Sequence, residues 1–222
     1  MDFKKFDGYT YVDGGVCAAK GYKANGLNCG LNPDKNKNDL GLVVSDVMCN
    51  AAAVYTTNKV KGAPILVTKN HLALTGGKTR AVVVNSKNAN TCNADGEEKA
   101  NRMCELVANE LGVPQEQVIV ASTGVIGQVL PIEPIEKAVP ILAKGLCYNK
   151  HLEAATAIMT TDTVKKEYAV EFEINGARCR IGGMAKGSGM IHPNMATTLN
   201  FITSDCAITS ELLQKALSEI VK

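Results

Sequence analysis

The sequence predicts an α+β protein in which mixed sheets pack against helices, and three observations carry that reading. Short β-branched runs of strand length alternate irregularly with stretches of helical spacing, an Asn-Gly dipeptide sits between two alternating segments, and no strict βαβ period repeats along the 222 residues. Hydrophobic residues make up 45% of the chain and charged residues 21%, the balance of a folded core rather than of a disordered chain. The length accommodates one or two domains.

The first forty residues are rich in Gly, Asn and Lys, and residues 32–39 (NPDKNKND) read as a solvated turn or loop. Strands are predicted at residues 42–45, 51–56, 65–68, 81–85 and 118–122, each bounded by Gly, Pro, Asn or charged residues. Between the last two, Asp95 and Glu98 form a candidate capping box, and Met103, Leu106, Val107 and Leu111 recur at helical spacing up to Gly112. Residues 133–146 are predicted helical with a kink or split at Pro140, and a third helix spans about 151–159. Residues 168–174 and 177–181 flank Asn175-Gly176, the signature of a type I′ hairpin. A strand is predicted at 198–203, then Thr209 or Ser210 caps an amphipathic helix with Leu212, Leu213, Ala216, Leu217 and Ile220 on one face. That helix meets the end of the chain without a Gly cap or a polar tail, so a truncated or processed chain is expected as readily as a natural end.

Composition narrows the function. The 24 Lys and Arg against 22 Asp and Glu give a net charge of +2, without the basic excess of a nucleic-acid binder. Aromatics make up 5% with no Trp, which argues against base-stacking platforms. The opening MDFKKFDGYTYVDGG has no apolar targeting core, and no stretch approaches the ~20 apolar residues of a bilayer span, so a cytoplasmic protein without a membrane partner is expected. The eight cysteines never fall in a CxxC pair and the three histidines are scattered, so reduced, mostly buried thiols and no metal are expected.

Two Gly-rich stretches fail as phosphate motifs. Gly76-Gly77-Lys78-Thr79 has Leu72 where a P-loop needs its first Gly, and residues 182–189 (GGMAKGSG) match neither GxGxxG nor GK[ST]. After the second stretch comes MIHPNMATT, in which Pro193 restricts the backbone and Ala196-Thr197 leads into the strand at 198. On the residues alone, a structural turn before a strand is the plainer reading.

The run 186–205 (KGSGMIHPNMATTLNFITSD) resembles the autoprocessing segment of the ornithine acetyltransferase family, the bifunctional glutamate N-acetyltransferases of arginine biosynthesis. Residues 39–65, 85–90 (NSKNAN), 121–127 (ASTGVIG) and 159–163 (MTTDT) resemble further blocks of that family, in its order. The resemblance implies the self-processing N-terminal-nucleophile fold shared with a group of aminopeptidases. It implies cleavage between Ala196 and Thr197, so that 1–196 is the first subunit region and 197–222 the start of a second whose remainder is absent. It makes Thr197 the nucleophile, Thr123 and Gly124 the oxyanion hole, and Thr160, Lys186 and Thr197 the substrate contacts, with Thr161 and Thr163 as alternatives to Thr160. The implied reaction moves an acetyl group from N2-acetyl-L-ornithine to L-glutamate through an acetyl-threonine, in a cytoplasmic heterotetramer of two alpha and two beta chains. No bound cofactor is implied, and acetyl-CoA serves some members as donor.

The chemistry is coherent with those residue types. A Thr hydroxyl needs a base beside it, and the α-amino group freed by cleavage, with a reference pKa of ~7.7–8.0, supplies one next to its own hydroxyl. Three departures stand out: Lys87 where the family usually has Gly, Thr198 where it has Met, and Asn200 where it has a small apolar residue. The family's C-terminal part, with an acidic residue and further substrate ligands, has no counterpart here. Two other readings remain open at this point: a self-cleaving hydrolase of the aminopeptidase kind, and an inactive fragment.

Overall fold

A computed structural model of the chain describes residues 8–187 and 198–221. Its strands are β1 (Tyr9–Tyr11), β2 (Tyr22–Leu27), β3 (Leu40–Asn50), β4 (Lys78–Asn85), β5 (Val118–Ser122), β6 (Lys166–Ile174), β7 (Ala177–Lys186) and β8 (Leu199–Ser204). Its α-helices are α1 (Ala63–Leu74), α2 (Gly96–Leu111), α3 (Glu133–Lys144), α4 (His151–Ala157) and α5 (Ser210–Ile220). The strands form two four-stranded sheets, ordered β1-β6-β7-β8 and β2-β3-β4-β5. The first is antiparallel throughout, whereas the second ends in the parallel pair β4 and β5. The α+β expectation holds.

The second sheet is buried on both faces, which is why its strands read as continuous apolar runs rather than as alternation. Leu40, Leu42, Val44, Ala81 and Val83 pack with Met103, Val107, Ile135, Val139 and Leu142 of α2 and α3 to make the larger core. Val43 and Val84 point the other way, into a second core with Ala154, Ala155 and Ile158 around α4, Val16, and Met184 of β7. Met184 thus joins the first sheet to the second. The 3-10 turn Gly15–Cys17 sits against β7, where a Cβ at Gly182 would overlap the Gly15 carbonyl.

Several local expectations match. Asn175 (φ 51°) and Gly176 (φ 77°) both take the left-handed conformation of a type I′ turn, Gly112 (φ 63°) ends α2, and the Thr209 side chain accepts the Leu212 amide at the start of α5.

Others are corrected. Residues 65–68 lie in α1, not in a strand: Pro64 opens the helix, and the buried residues Pro64, Val67, Thr68 and His71 follow helical spacing. Residues 51–56 form no strand, because their amides bond elsewhere, Ala51 N to Gly77 O (2.7 Å) and Ala53 N to the Gln214 side chain (3.2 Å). Helix α3 runs unbroken through Pro140, held by the burial of Ile135, Ala138, Val139 and Leu142 along one face. Asp95 makes no side-chain cap and instead pairs with Lys99 at 2.7 Å. Among the cysteines only Cys104 is buried; Cys92 is exposed and the rest are half-buried, all as free thiols. No helix among the described residues is long and apolar enough to cross a membrane.

Met184 is 2% exposed and fills the space between the sheets, so Met184→Ala is expected to lower unfolding stability by about 2–5 kcal/mol, read from urea denaturation. A loss below about 1 kcal/mol would show that the two sheets do not depend on this contact.

Candidate active site

The parallel pairing of β4 and β5 sets Asn85 beside Ser122, so the chain leaves both strands at the same edge. The segments that follow are stitched together. Thr123 N donates to Asn85 O (3.0 Å), Val125 N to Lys87 O (3.1 Å), Ala89 N to Val125 O (2.9 Å) and Gly127 N to Thr91 O (2.9 Å). Asn88 spans the gap, its Nδ2 donating to Gln128 O (3.0 Å) and its Oδ1 accepting from Asn90 N (2.7 Å). Thr123 is thereby buried while Gly124 faces solvent. Gly124 has φ 138°, and a Cβ there would overlap the Lys87 carbonyl group, so no other residue fits. Lys87 (φ 75°), Asn90 (φ 46°) and Cys92 (φ 64°) are all left-handed non-glycine residues within this short loop. Beside Thr123, Asn85 Oδ1, Ser86 Oγ and Ser122 Oγ are buried without a protein partner among the described residues, which leaves polar capacity at the strand ends for a ligand or water.

A second cluster forms at the end of β7. Lys186, within the glycine-rich stretch 182–189, is the last residue of that strand and is 6% exposed. Asp162, whose side chain is 1% exposed, accepts from Lys166 Nζ (2.6 Å) and Gly187 N (3.1 Å) through Oδ1, and from Thr160 N (3.5 Å) through Oδ2. Burial disfavours the Asp162 carboxylate, but the Lys166 ammonium and the Gly187 amide outweigh it and hold its pKa below the ordinary value. Burial pushes the Lys186 pKa down from 10.5; the Asp162 charge opposes this shift and the Lys166 charge adds to it. A lysine at such a site is a cation short of solvent, suited to receive an anion.

A family model for the ArgJ family matches residues 23–222. The chain belongs to the ArgJ family. Relatives named arginine biosynthesis bifunctional protein ArgJ include that of Bacillus cereus, 47% identical over 94% of this chain, and that of Gloeobacter violaceus, 46% identical over 95%. The matches cover 50% and 52% of those relatives, so this ArgJ-family chain spans about half the length of the curated relatives it matches. Among solved structures, the ArgJ protein of Bacillus halodurans is similar with TM-score 0.77 and 38% identity, over 83% of this chain and 96% of that one. The ornithine acetyltransferase of Mycobacterium tuberculosis, in complex with ornithine, has TM-score 0.74 and 35% identity, over 83% and 98%. The l-aminopeptidase d-ala-esterase/amidase of Ochrobactrum anthropi, described as a variant of the Ntn hydrolase fold, shares the fold at TM-score 0.59 and 10% identity, over 97% and 69%.

In this ArgJ-family chain, Thr160 and Lys186 come together around Asp162, with Thr160 half-buried and Thr161 and Thr163 exposed. Thr123 and Gly124 follow β5 of the other sheet, and among the described residues no hydrogen bond or ion pair joins them to Thr160 or Lys186. Ala196 and Thr197 lie outside the described residues. The register pairs Lys186 with Leu199, so the two ends of the connection that contains them stand opposite each other on adjacent strands. Sequence reasoning missed Asp162, although an acid inside MTTDT four residues before Lys166 was the available signal. It also missed the stitching role of Asn88.

These geometries predict the effects of three substitutions. Lys87→Gly is expected to raise stability by about 1 kcal/mol, because it relieves left-handed strain of about 1–3 kcal/mol partly offset by glycine's larger unfolded-state entropy. Gly124→Ala, by contrast, should lower it by on the order of 3 kcal/mol; equal denaturation midpoints for the two variants would contradict the loop geometry. Lys186→Met should be at least as stable as the parent at pH 7. Below its folded-state pKa the lysine is charged in both states and its burial cost is fully present. Between that value and 10.5 the unfolded chain binds more protons, so stability of the parent rises with pH and the advantage of Met should narrow. Urea melts between pH 7 and 10 measure this difference, and a gap that widens with pH would contradict it.

Proposed function

We propose that this chain carries the nucleophile half of an acetyltransferase that moves an acetyl group from N2-acetyl-L-ornithine to L-glutamate, after self-cleavage between Ala196 and Thr197, in arginine biosynthesis. The observation that carries the reading is Lys186, an ammonium buried at the end of β7, one residue before the connection that contains Thr197. A fixed cation short of water suits the α-carboxylate of an amino-acid substrate. Family membership and the solved relative that holds ornithine support the same substrate class.

The mechanism uses one hydroxyl twice. The Thr197 Oγ attacks the Ala196 carbonyl carbon, the peptide shifts to an ester, and water hydrolyses that ester to leave Thr197 as a new N-terminus. Its α-amino group then takes the hydroxyl proton while Oγ attacks the acetyl carbonyl of acetylornithine. The Thr123 hydroxyl and the Gly124 amide stabilise the oxyanion, ornithine departs with the proton, and the glutamate amine attacks the acetyl-threonine in the reverse sense. Thr160 and Lys186 hold the amino-acid portion of each substrate, with Asp162 fixing Thr160 and Gly187. Acetyl-CoA is a second acetyl donor to test in the same assay, and two alpha and two beta chains form the working assembly in the cytoplasm.

In the full-length enzyme, Thr197→Ala is expected to run as one uncut chain on a denaturing gel and to transfer no acetyl group, whereas Thr197→Ser retains part of both activities. Two chains cut at Ala196-Thr197 in the Ala variant would remove Thr197 as the nucleophile. Thr123→Ala should reduce kcat by about 10²–10³ with little change in KM, since an oxyanion donor acts in the transition state. Labelled glutamate as acceptor separates transfer from hydrolysis: release of free acetate without acetylglutamate would favour the hydrolase chemistry.

A further inference from the structure

Away from the candidate active site, β7 and β8 bring together three ligand-type side chains that are far apart in sequence. The register pairs Ile181 with Ser204, and Asp205 N donates to Arg180 O (3.3 Å), which carries the ladder one step further and sets Cys179 opposite Cys206. The two Sγ atoms and an Asp205 carboxylate oxygen all lie within 4.8 Å of one another, and all three residues are half-buried. The absence of any CxxC spacing hides this cluster from the sequence, because antiparallel pairing rather than local spacing creates it.

We propose that Cys179, Cys206 and Asp205 form a binding site for a thiophilic divalent cation of the zinc class. Two soft thiolates and one carboxylate are a donor set that suits zinc rather than magnesium or calcium. The geometry is close to what such an ion needs: the centre of a triangle with 4.8 Å edges lies about 2.8 Å from each corner, so a closure of about half an ångström reaches the ≈ 2.3 Å zinc–sulfur distance.

The carboxylate is already positioned. Asp205 Oδ1 accepts from Arg180 N (2.7 Å) and Oδ2 from Lys20 N (2.9 Å), which orients the group and leaves lone pairs for a cation. Cys206 N donates to Ser204 Oγ (3.1 Å), pinning the turn that presents the thiol. The nearby Arg180 guanidinium is taken up by Glu171 (2.7 Å) and the Ala18 carbonyl (3.4 Å), so Asp205 has no ion-pair partner among the described residues. Binding releases the two thiol protons to solvent, and water completes the coordination. The ion would clamp β7 to β8. If the chain is cut at Ala196-Thr197, a consequence that rests on the function proposed above, the clamp would join the two products.

The test needs no acetyl transfer, so its outcome is independent of that reading. The reduced, metal-free chain is titrated with Co(II) alone. One equivalent should bind with a thiolate-to-cobalt charge-transfer band that Zn(II) abolishes, and Cys179→Ser and Cys206→Ser should each weaken binding at least about tenfold. Cys49→Ser and Cys92→Ser should leave it unchanged. The same question is asked without substitutions by alkylating the parent chain and reading each cysteine by peptide mass spectrometry: Zn(II) should slow modification of Cys179 and Cys206 at least about tenfold and spare Cys92 any change. Absence of the band, an undiminished band in the double Ser variant, or equal alkylation with and without Zn(II) would overturn the proposal.

Discussion

Strand β7 is the element on which the rest of the molecule depends, through the alternation of its inward-facing residues. Gly182 has no side chain, and the turn at Gly15 closes on it; Met184 fills the space between the sheets; Lys186 ends the strand with a buried cation. Three successive inward positions thus provide a close approach, an apolar anchor and a charge. A slip of one residue in the β6–β7–β8 register would turn Met184 out of the core and expose Lys186 to water, so packing energy also fixes where the charge sits.

The stitched segments after β4 and β5 show a different kind of rigidity. Left-handed conformations at Lys87, Asn90 and Cys92 cost of order 1–3 kcal/mol each, and the loop holds them through backbone hydrogen bonds and the side chains of Asn88 and Asn90. This strain surrounds Thr123 and Gly124, the pair whose place in the fold the strand reading anticipated. Lys87, noted in the sequence as standing in place of a glycine, occupies one of these left-handed positions, and its φ of 75° gives that departure a physical meaning.

What was legible in the sequence was local. Strand β5, the type I′ hairpin, helix α2 and the Thr209 cap each depend on residues within a few positions of one another, and each appears close to where the pattern put it. Helix α1 was misread because a four-residue window, ILVT, is too short to separate period 2 from period 3.6. The buried state of Lys186, the anchoring by Asp162 and the meeting of Cys179 with Cys206 arise from strand pairing across long stretches of chain, where single-sequence patterning carries no signal. The sites themselves came mainly from family blocks rather than from residue chemistry.

The topology also orders events in time. Every residue of the larger core lies between Leu27 and Leu146, so that core is complete in sequence before β6, β7 or β8 has been made. Strand β1 precedes that core in sequence, yet its ladder partner among the described residues is β6, with Tyr9 opposite Phe172. At a synthesis rate of about 5–20 residues per second, β1 waits roughly 8–30 s for its partner. During that interval its tyrosines and unpaired backbone lack their partner strand on a nascent chain whose larger core is already complete in sequence, a window in which a chaperone has more to protect at β1 than in the core.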